Sequence, residues 1–427
     1  MILHFYVRRT LKTSLVLVVW AILASQLIIH HLSLRAALLL ITGLTIVAQL
    51  KHADAWFETC NRIINLAAGG KSTVNSPLYK ANYRANSSCR YQISAPQGFT
   101  ITATCDLKIY RDASGKCSGE YFYVMRNGST ELLGSEFLCG TGTITRTSRF
   151  NKLTLAYTSA SKNVGQFSCS ISTNCDCGWS VKSKVVNGRV AEVNEYISMA
   201  GIVDLTTNEV RCGGSIISPF YVLSAAHCYN TAQFSKVTNV GVLVGDHDYS
   251  TGQDTPFSAF YRVALIKKHV GFKSITNVND IALLKTSKEI QFSIAVGPAC
   301  LPYGFASNYF DDNFELEAPG WGATSFGGPN SKILQTVKLH TMKIETCKSR
   351  GMLNVTTNQL CTFTKGKDTC QGDSGGNLYY RSNKLYTVLI VSYGSGCATI
   401  NPAVNTKISA YLPWIKANAV GAKFCGA

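Results

Sequence analysis

The sequence predicts an all-β protein of two folded units, and three observations carry that expectation. The chain has 427 residues, more than one ordinary domain holds and enough for two units with a core each. Short runs of β-branched and aromatic residues recur along it, punctuated by Gly, Ser, Asn and Asp. All 16 cysteines lie between Cys60 and Cys425, an even number that suits disulfides made in an oxidising secretory compartment. Only Cys175 and Cys177 stand close together, and no CxxC repeat or His-Cys cluster points to zinc.

The formal net charge is +17, of which the first 55 residues contribute +4. The remaining Lys and Arg are scattered singly or in pairs without interleaved aromatics, so the pattern argues for acidic partners or glycans and against nucleic acid. Ahead of Cys60 stand two apolar stretches, residues 14–29 and 36–50, neither of them 18 residues long. Arg35 precedes the second and Ala53-Asp54-Ala55 follows it, so residues 1–55 read as a signal peptide cleaved after Ala55; the alternative is an uncleaved signal anchor. Either reading puts the rest outside the cytoplasm, where Asn86, Asn127 and Asn354 head N-x-Ser/Thr glycan acceptors.

From residue 60 to 172 the β-rich runs, such as Phe99-Thr100-Ile101-Thr102 and Tyr121-Phe122-Tyr123-Val124, predict a β-sandwich. Ser76-Pro77-Leu78-Tyr79, Tyr83, Cys89, Tyr91, Ala95-Pro96, Gly98, Cys117, Glu120-Tyr121 and Phe137-Leu138-Cys139-Gly140 together resemble a CUB domain. That resemblance implies Cys60–Cys89 and Cys117–Cys139 disulfides and either a module that recognises a protein or glycan ligand or a spacer that aids folding and secretion. Of the acids with which many CUB domains bind calcium, only Glu120 is present, and Ala160 stands where another is expected. One carboxylate does not hold an ion that takes six to eight oxygens.

Three separated segments point to chemistry in residues 185–427, after a linker over 173–184. Leu223-Ser224-Ala225-Ala226-His227-Cys228 ends an apolar strand in a histidine beside a cysteine. Asn279-Asp280-Ile281-Ala282-Leu283-Leu284 sets a carboxylate before a strand apolar on both faces, costly unless it is hydrogen-bonded. Asp368-Thr369-Cys370-Gln371-Gly372-Asp373-Ser374-Gly375-Gly376 puts a serine in a glycine-dense loop. Singly these are a structural histidine, a turn acid and a turn; in the order His, Asp, Ser they are a hydrolase signature.

The three resemble the chymotrypsin–trypsin family of serine proteases over residues 185–420. The Cys175-Asp176-Cys177-Gly178-Trp179 linker resembles that of arthropod, insect venom-type CUB–serine proteases. The resemblance implies two antiparallel β-barrels with the site between them, and a serine endopeptidase. A Ser hydroxyl needs a base to become a nucleophile, so His227 would be that base, Asp280 its orienter and Ser374 the nucleophile, with the N–H groups of Gly372 and Ser374 as oxyanion hole.

By the same resemblance Asp368, six residues before Ser374, floors a pocket for Lys or Arg, walled by Ser392, Gly394 and Ala403. Ala403 replaces the usual Gly, which implies narrower or slower cleavage, and Asn405 replaces the usual Tyr. Lys184-Val185-Val186-Asn187-Gly188 matches an activation site: a trypsin-like protease would cut after Lys184, and the Val185 ammonium would pair with Asp373. Implied disulfides are Cys212–Cys228, Cys347–Cys361 and Cys370–Cys397, with Cys300 reaching Cys175 or Cys177 to keep the two units joined. No cofactor is implied beyond a conceivable Ca²⁺ in the loop from Asp246-His247-Asp248 to Asp254. Protein substrates and an activating protease are the expected partners. The competing reading, a non-catalytic binding homologue, would lack a nucleophile or a base.

Overall fold

The computed structural model describes residues 60–426 except Leu133, 161–164, 181–188, Gly252, Phe326, Ser395 and 397–399. The signal or anchor segment, Lys184, Val185 and Cys397 therefore lie outside the described residues.

The first unit is a sandwich of two sheets. One runs in the order β1 (Asn61–Asn65), β3 (Ser88–Ser94), β8 (Lys152–Ser159), β5 (Glu120–Met125) and β6 (Glu136–Leu138); the other runs β2 (Lys71–Asn75), β9 (Gln166–Cys175), β4 (Phe99–Ile109) and β7 (Gly140–Thr147). Strict alternation along β4 sends Ile101, Ala103, Cys105, Leu107 and Ile109 into the core, where they meet Phe122, Leu155 and Tyr157 of the facing sheet. Cys60–Cys89, Cys105–Cys169 and Cys117–Cys139 staple this unit. Glu120 is wholly buried, and its two oxygens accept the Tyr83 hydroxyl and the Tyr110 N–H.

The second unit holds two barrels. The first is closed in the order β11 (Met199–Asp204), β12 (Glu209–Ser218), β13 (Tyr221–Ser224), β16 (Ala282–Thr286), β15 (Ala259–Lys268) and β14 (Val240–Val244). The second runs β10 (Arg189–Val190), β18 (Gln335–Met342), β17 (Glu315–Gly320), β20 (Asn377–Arg381), β21 (Leu385–Tyr393), β22 (Ala403–Lys407) and β19 (Gln359–Thr362), and β19 pairs back to β18 to close a ring of six. Two short helices, α1 (Ile344–Ser349) and α2 (Leu412–Asn418), pack outside.

The units are locked together by covalent and polar contacts. Cys175 is bonded to Cys425 and Cys177 to Cys300. Gln97 of the sandwich accepts the Phe292 N–H at 3.1 Å and donates to Gln291 at 3.1 Å. The Trp179 indole lies against Gly297, where any side chain would collide with it. Among the described residues no helix is long and apolar enough to cross a membrane.

Candidate active site

The register of β13 on β16 pairs Ser224 with Ala282, and this brings His227, three residues beyond the first, to Asp280, two residues before the second. Asp280 is wholly buried and its carboxylate is gripped on both oxygens. One accepts the His227 backbone N–H at 2.8 Å; the other accepts His227 Nδ1–H at 2.7 Å and the Ser392 hydroxyl at 2.5 Å. The Thr406 hydroxyl donates to the Asp280 carbonyl at 2.8 Å. The second barrel, through β21 and β22, thus holds an acid that the first barrel supplies. With Nδ1 donating to Asp280, the neutral imidazole presents Nε2 as an acceptor.

Ser374 enters from the loop before β20. Its carbonyl accepts the Gly213 N–H at 2.8 Å, next to Cys212, whose disulfide partner Cys228 follows His227. The Cys228 sulfur lies 4.0 Å from His227 Nε2 and 3.7 Å from the Ser374 carbonyl oxygen, so base and serine meet around one sulfur at the barrel junction. This approach demands glycine. A side chain at Gly375 (φ +74°) would strike Ser224 and the Gly213 carbonyl, and one at Gly213 would come within 2.7 Å of Gly376. Gly372 is at φ +92°, and neither its N–H nor that of Ser374 has an acceptor among the described residues.

Asp373 immediately precedes the serine. Its carboxylate accepts the N–H groups of Gly322 and Cys370, each at 2.9 Å, and forms no ion pair among the described residues. Burial pushes its pKa up to about 6, against the pull of those two hydrogen bonds. A cavity of about 430 Å³ opens beside it, lined also by Asp368, Arg189, Gln335 and Lys367. Asp368 is half-buried and accepts the Thr369 N–H at 2.9 Å. Ala403 faces Gly394: a Cβ built on the glycine lies 3.6 Å from the alanine Cβ. The Ser392 hydroxyl is spent on Asp280 rather than turned to that wall. Neither this supporting role nor that of Thr406 is legible in the sequence: Ser392 stands out only as a hydroxyl in the apolar run of β21, and Thr406 lies in the polar run Asn405-Thr406-Lys407.

Cys347–Cys361 is formed, and Cys370 is disulfide-bonded. Asn86, Asn127 and Asn354 are exposed. Among the described residues one cluster has metal-ligand spacing, Cys212, His227 and Cys228, but its two sulfurs are joined to each other and offer no thiolate. The acids of the Asp246–Asp254 loop do not bring three ligand atoms together. Asp254 instead accepts the N–H groups of His247 and Asp248, and Asp248 accepts two bonds from Ser250.

Comparison with known proteins gives two family models in tandem: a CUB domain over residues 60–169 and Trypsin over residues 185–415. Venom serine protease 34 of Apis mellifera is 33% identical over 387 residues, covering 86% of this chain and 90% of the relative. A venom serine protease of Polistes dominula is 36% identical over 258 residues, 60% of this chain and 92% of the relative. The proclotting enzyme of Tachypleus tridentatus is 32% identical over 260 residues, 56% of this chain and 67% of the relative.

Proposed function

Because this chain belongs to the trypsin family of serine proteases, and is a serine endopeptidase joined to a CUB domain, we propose that it is a secreted zymogen, cut after Lys184, that hydrolyses peptide bonds following Lys or Arg. The doubly gripped Asp280 beside His227 is the observation that carries this reading.

Asp280 holds the imidazole in the tautomer that exposes Nε2. That nitrogen takes the proton of Ser374 as its oxygen attacks the scissile carbonyl, and returns it to the leaving amine as the acyl-enzyme forms. Water then enters, gives its proton to Nε2, and releases the acid with Ser374 restored. The N–H groups of Gly372 and Ser374, which have no acceptor among the described residues, stabilise the oxyanion. Asp368 receives the substrate cation, and the Ala403 methyl narrows the pocket opposite Gly394.

Among the described residues the buried Asp373 carboxylate has no cation partner. Cleavage after Lys184 supplies one, the Val185 ammonium, and the loop from Cys370 to Gly376 sets around the new pair. A trypsin-like protease is the activator, since Lys184 is itself a trypsin-type site. The CUB domain positions the enzyme on a protein or glycan ligand, and Asn86, Asn127 and Asn354 carry glycans.

Treatment of intact and Lys184-cut protein with diisopropyl fluorophosphate, followed by peptide mass mapping, tests the reading. The adduct is expected on Ser374 in the cut protein and only there. Equal labelling of intact protein, or none after cutting, refutes it.

A further inference from the structure

The net charge of +17 is unevenly distributed. From residue 255 to 288 stand six cations, Arg262, Lys267, Lys268, Lys273, Lys285 and Lys288, against one acid, Asp280, which is buried on His227. None of the six forms an ion pair among the described residues. Strand register gathers several of them on the outer side of the first barrel. Lys285 of β16 lies opposite Tyr221 of β13 and Leu265 of β15, so the three side chains share one face, and Lys267, two residues along β15, shares it with them. The Ser287 N–H donates to the Arg262 carbonyl at 2.8 Å, so Lys288 follows within one residue of that contact.

Where this face meets the β-sandwich, a groove of about 340 Å³ opens between the two units. Phe99 of the sandwich and Tyr221 of the barrel line it as buried side chains, and Phe220 and Val420 line it at 36% and 75% exposure. Lys285 and Lys423 are its cations and Glu289 its one acid, and none of these is in an ion pair among the described residues. The Lys285 ammonium lies 5.9 Å from the centre of the Tyr221 ring. The walls are tied in place: the Tyr221 hydroxyl donates to the Val420 carbonyl at 3.2 Å, and Gln97 of the groove bonds Gln291 and Phe292 across the junction. A groove already formed asks little ordering of what enters it, and its size lies in the range of about 300–1,000 Å³ usual for ligand sites.

We propose that this groove docks an extended acidic segment of a partner protein, one that carries large apolar side chains among its carboxylates. The carboxylates pair with Lys285 and Lys423 and, along the barrel face, with Lys267 and Lys288; the apolar side chains cover Phe220 and Val420. Both halves of that chemistry are needed. A sulfated glycan or a nucleic acid backbone satisfies the cations but leaves the apolar lining in water, and an uncharged segment gains nothing from the ammonium groups. One wall belongs to the CUB domain and the other to the protease, so the docked segment grips both units and stays outside the catalytic residues. Docking needs neither turnover nor cleavage after Lys184, and it stands apart from the Lys/Arg reading.

The test titrates intact full-length protein into a fluorescein-labelled peptide of Glu and Phe, read by anisotropy, and into two analogues, one with Gln for each Glu and one with Ser for each Phe. The parent peptide is expected to bind in the micromolar range and each analogue about tenfold more weakly. Lys285→Glu with Lys423→Glu should weaken the parent by about tenfold or more, whereas Lys348→Glu with Lys365→Glu beside the second barrel, the same change in net charge, should leave it within about twofold. No saturable binding of the parent, equal binding of the Ser analogue, or equal loss in both variant pairs overturns the inference. Heparin that binds more tightly than the parent, with the same dependence on Lys285 and Lys423, assigns the site to polyanions and overturns it as well. The three peptides on the wild type alone decide the matter if a variant fails to fold.

Discussion

Cys175, the last residue of the sandwich's β9, is disulfide-bonded to Cys425, 250 positions later, beyond both barrels. With Cys177–Cys300 it gives the CUB domain two covalent ties to the catalytic unit, both on residues that precede Lys184. Cleavage after Lys184 should therefore release nothing on a non-reducing gel, and Cys177→Ser with Cys300→Ser should leave the fragments joined. Adding Cys425→Ser should separate them under denaturing, non-reducing conditions. Separation on loss of one bridge would show that the other does not form.

Among the described residues, the Ser392 hydroxyl is the one donor to the Asp280 carboxylate that comes from outside the histidine. Ser392→Ala leaves both His227 bonds in place but loosens the carboxylate that fixes the imidazole. A fall in kcat on the order of tenfold with little change in KM is expected. A change in KM alone would assign Ser392 to substrate binding instead.

Arg381 stands at the centre of a charged network. It forks onto Glu317 at 2.7–2.9 Å, lies 3.5 Å from the wholly buried Glu195, and donates to Ser180 at 2.8 Å. Arg189 holds the other side of Glu195 at 2.7 Å. Arg381→Met strips a cation from two buried carboxylates, which should cost about 3–5 kcal/mol of stability, read as a lowered denaturant midpoint. A loss under about 1 kcal/mol would mean that water enters and takes over the role.

Asp373 titrates near 6 in the uncut chain because burial disfavours its charge. Its folded pKa lies above the unfolded value of 3.8, so between those two values the folded chain binds more protons than the unfolded one. Stability conferred by the protonated form is full below about pH 4 and is lost as pH rises through about 6. Compared with Asp373→Asn, the uncut wild type should lose melting temperature across that window. After cleavage the new ammonium should remove the loss. A pH-independent difference between the two uncut proteins would contradict it.

The all-β class and both families were readable because their signals are local. Alternation marks β4, and cysteine or glycine neighbours mark the segments around His227 and Ser374. What the sequence withheld is set by contacts between distant positions. Spacing alone does not pair Cys105 with Cys169 or Cys175 with Cys425. Gln97 meets Gln291 and Phe292 across nearly 200 residues. A serine in the apolar run of β21 looks like a tolerated small residue until the second barrel is laid against Asp280. The groove between Phe99 and Phe220 likewise exists only once the sandwich is laid on the first barrel.

The most direct test of the central claim is a substrate panel. Full-length protein, before and after cleavage at Lys184, is offered otherwise identical peptides with Arg, Lys, Phe or Ala before the scissile bond, with Ser374→Ala as control. Hydrolysis after Arg and Lys that appears only on cleavage, and never in the control, is the expected result. Turnover by the uncut chain at the same rate, or cleavage after Phe or Ala instead, would contradict the zymogen switch in the first case and the Asp368 pocket in the second.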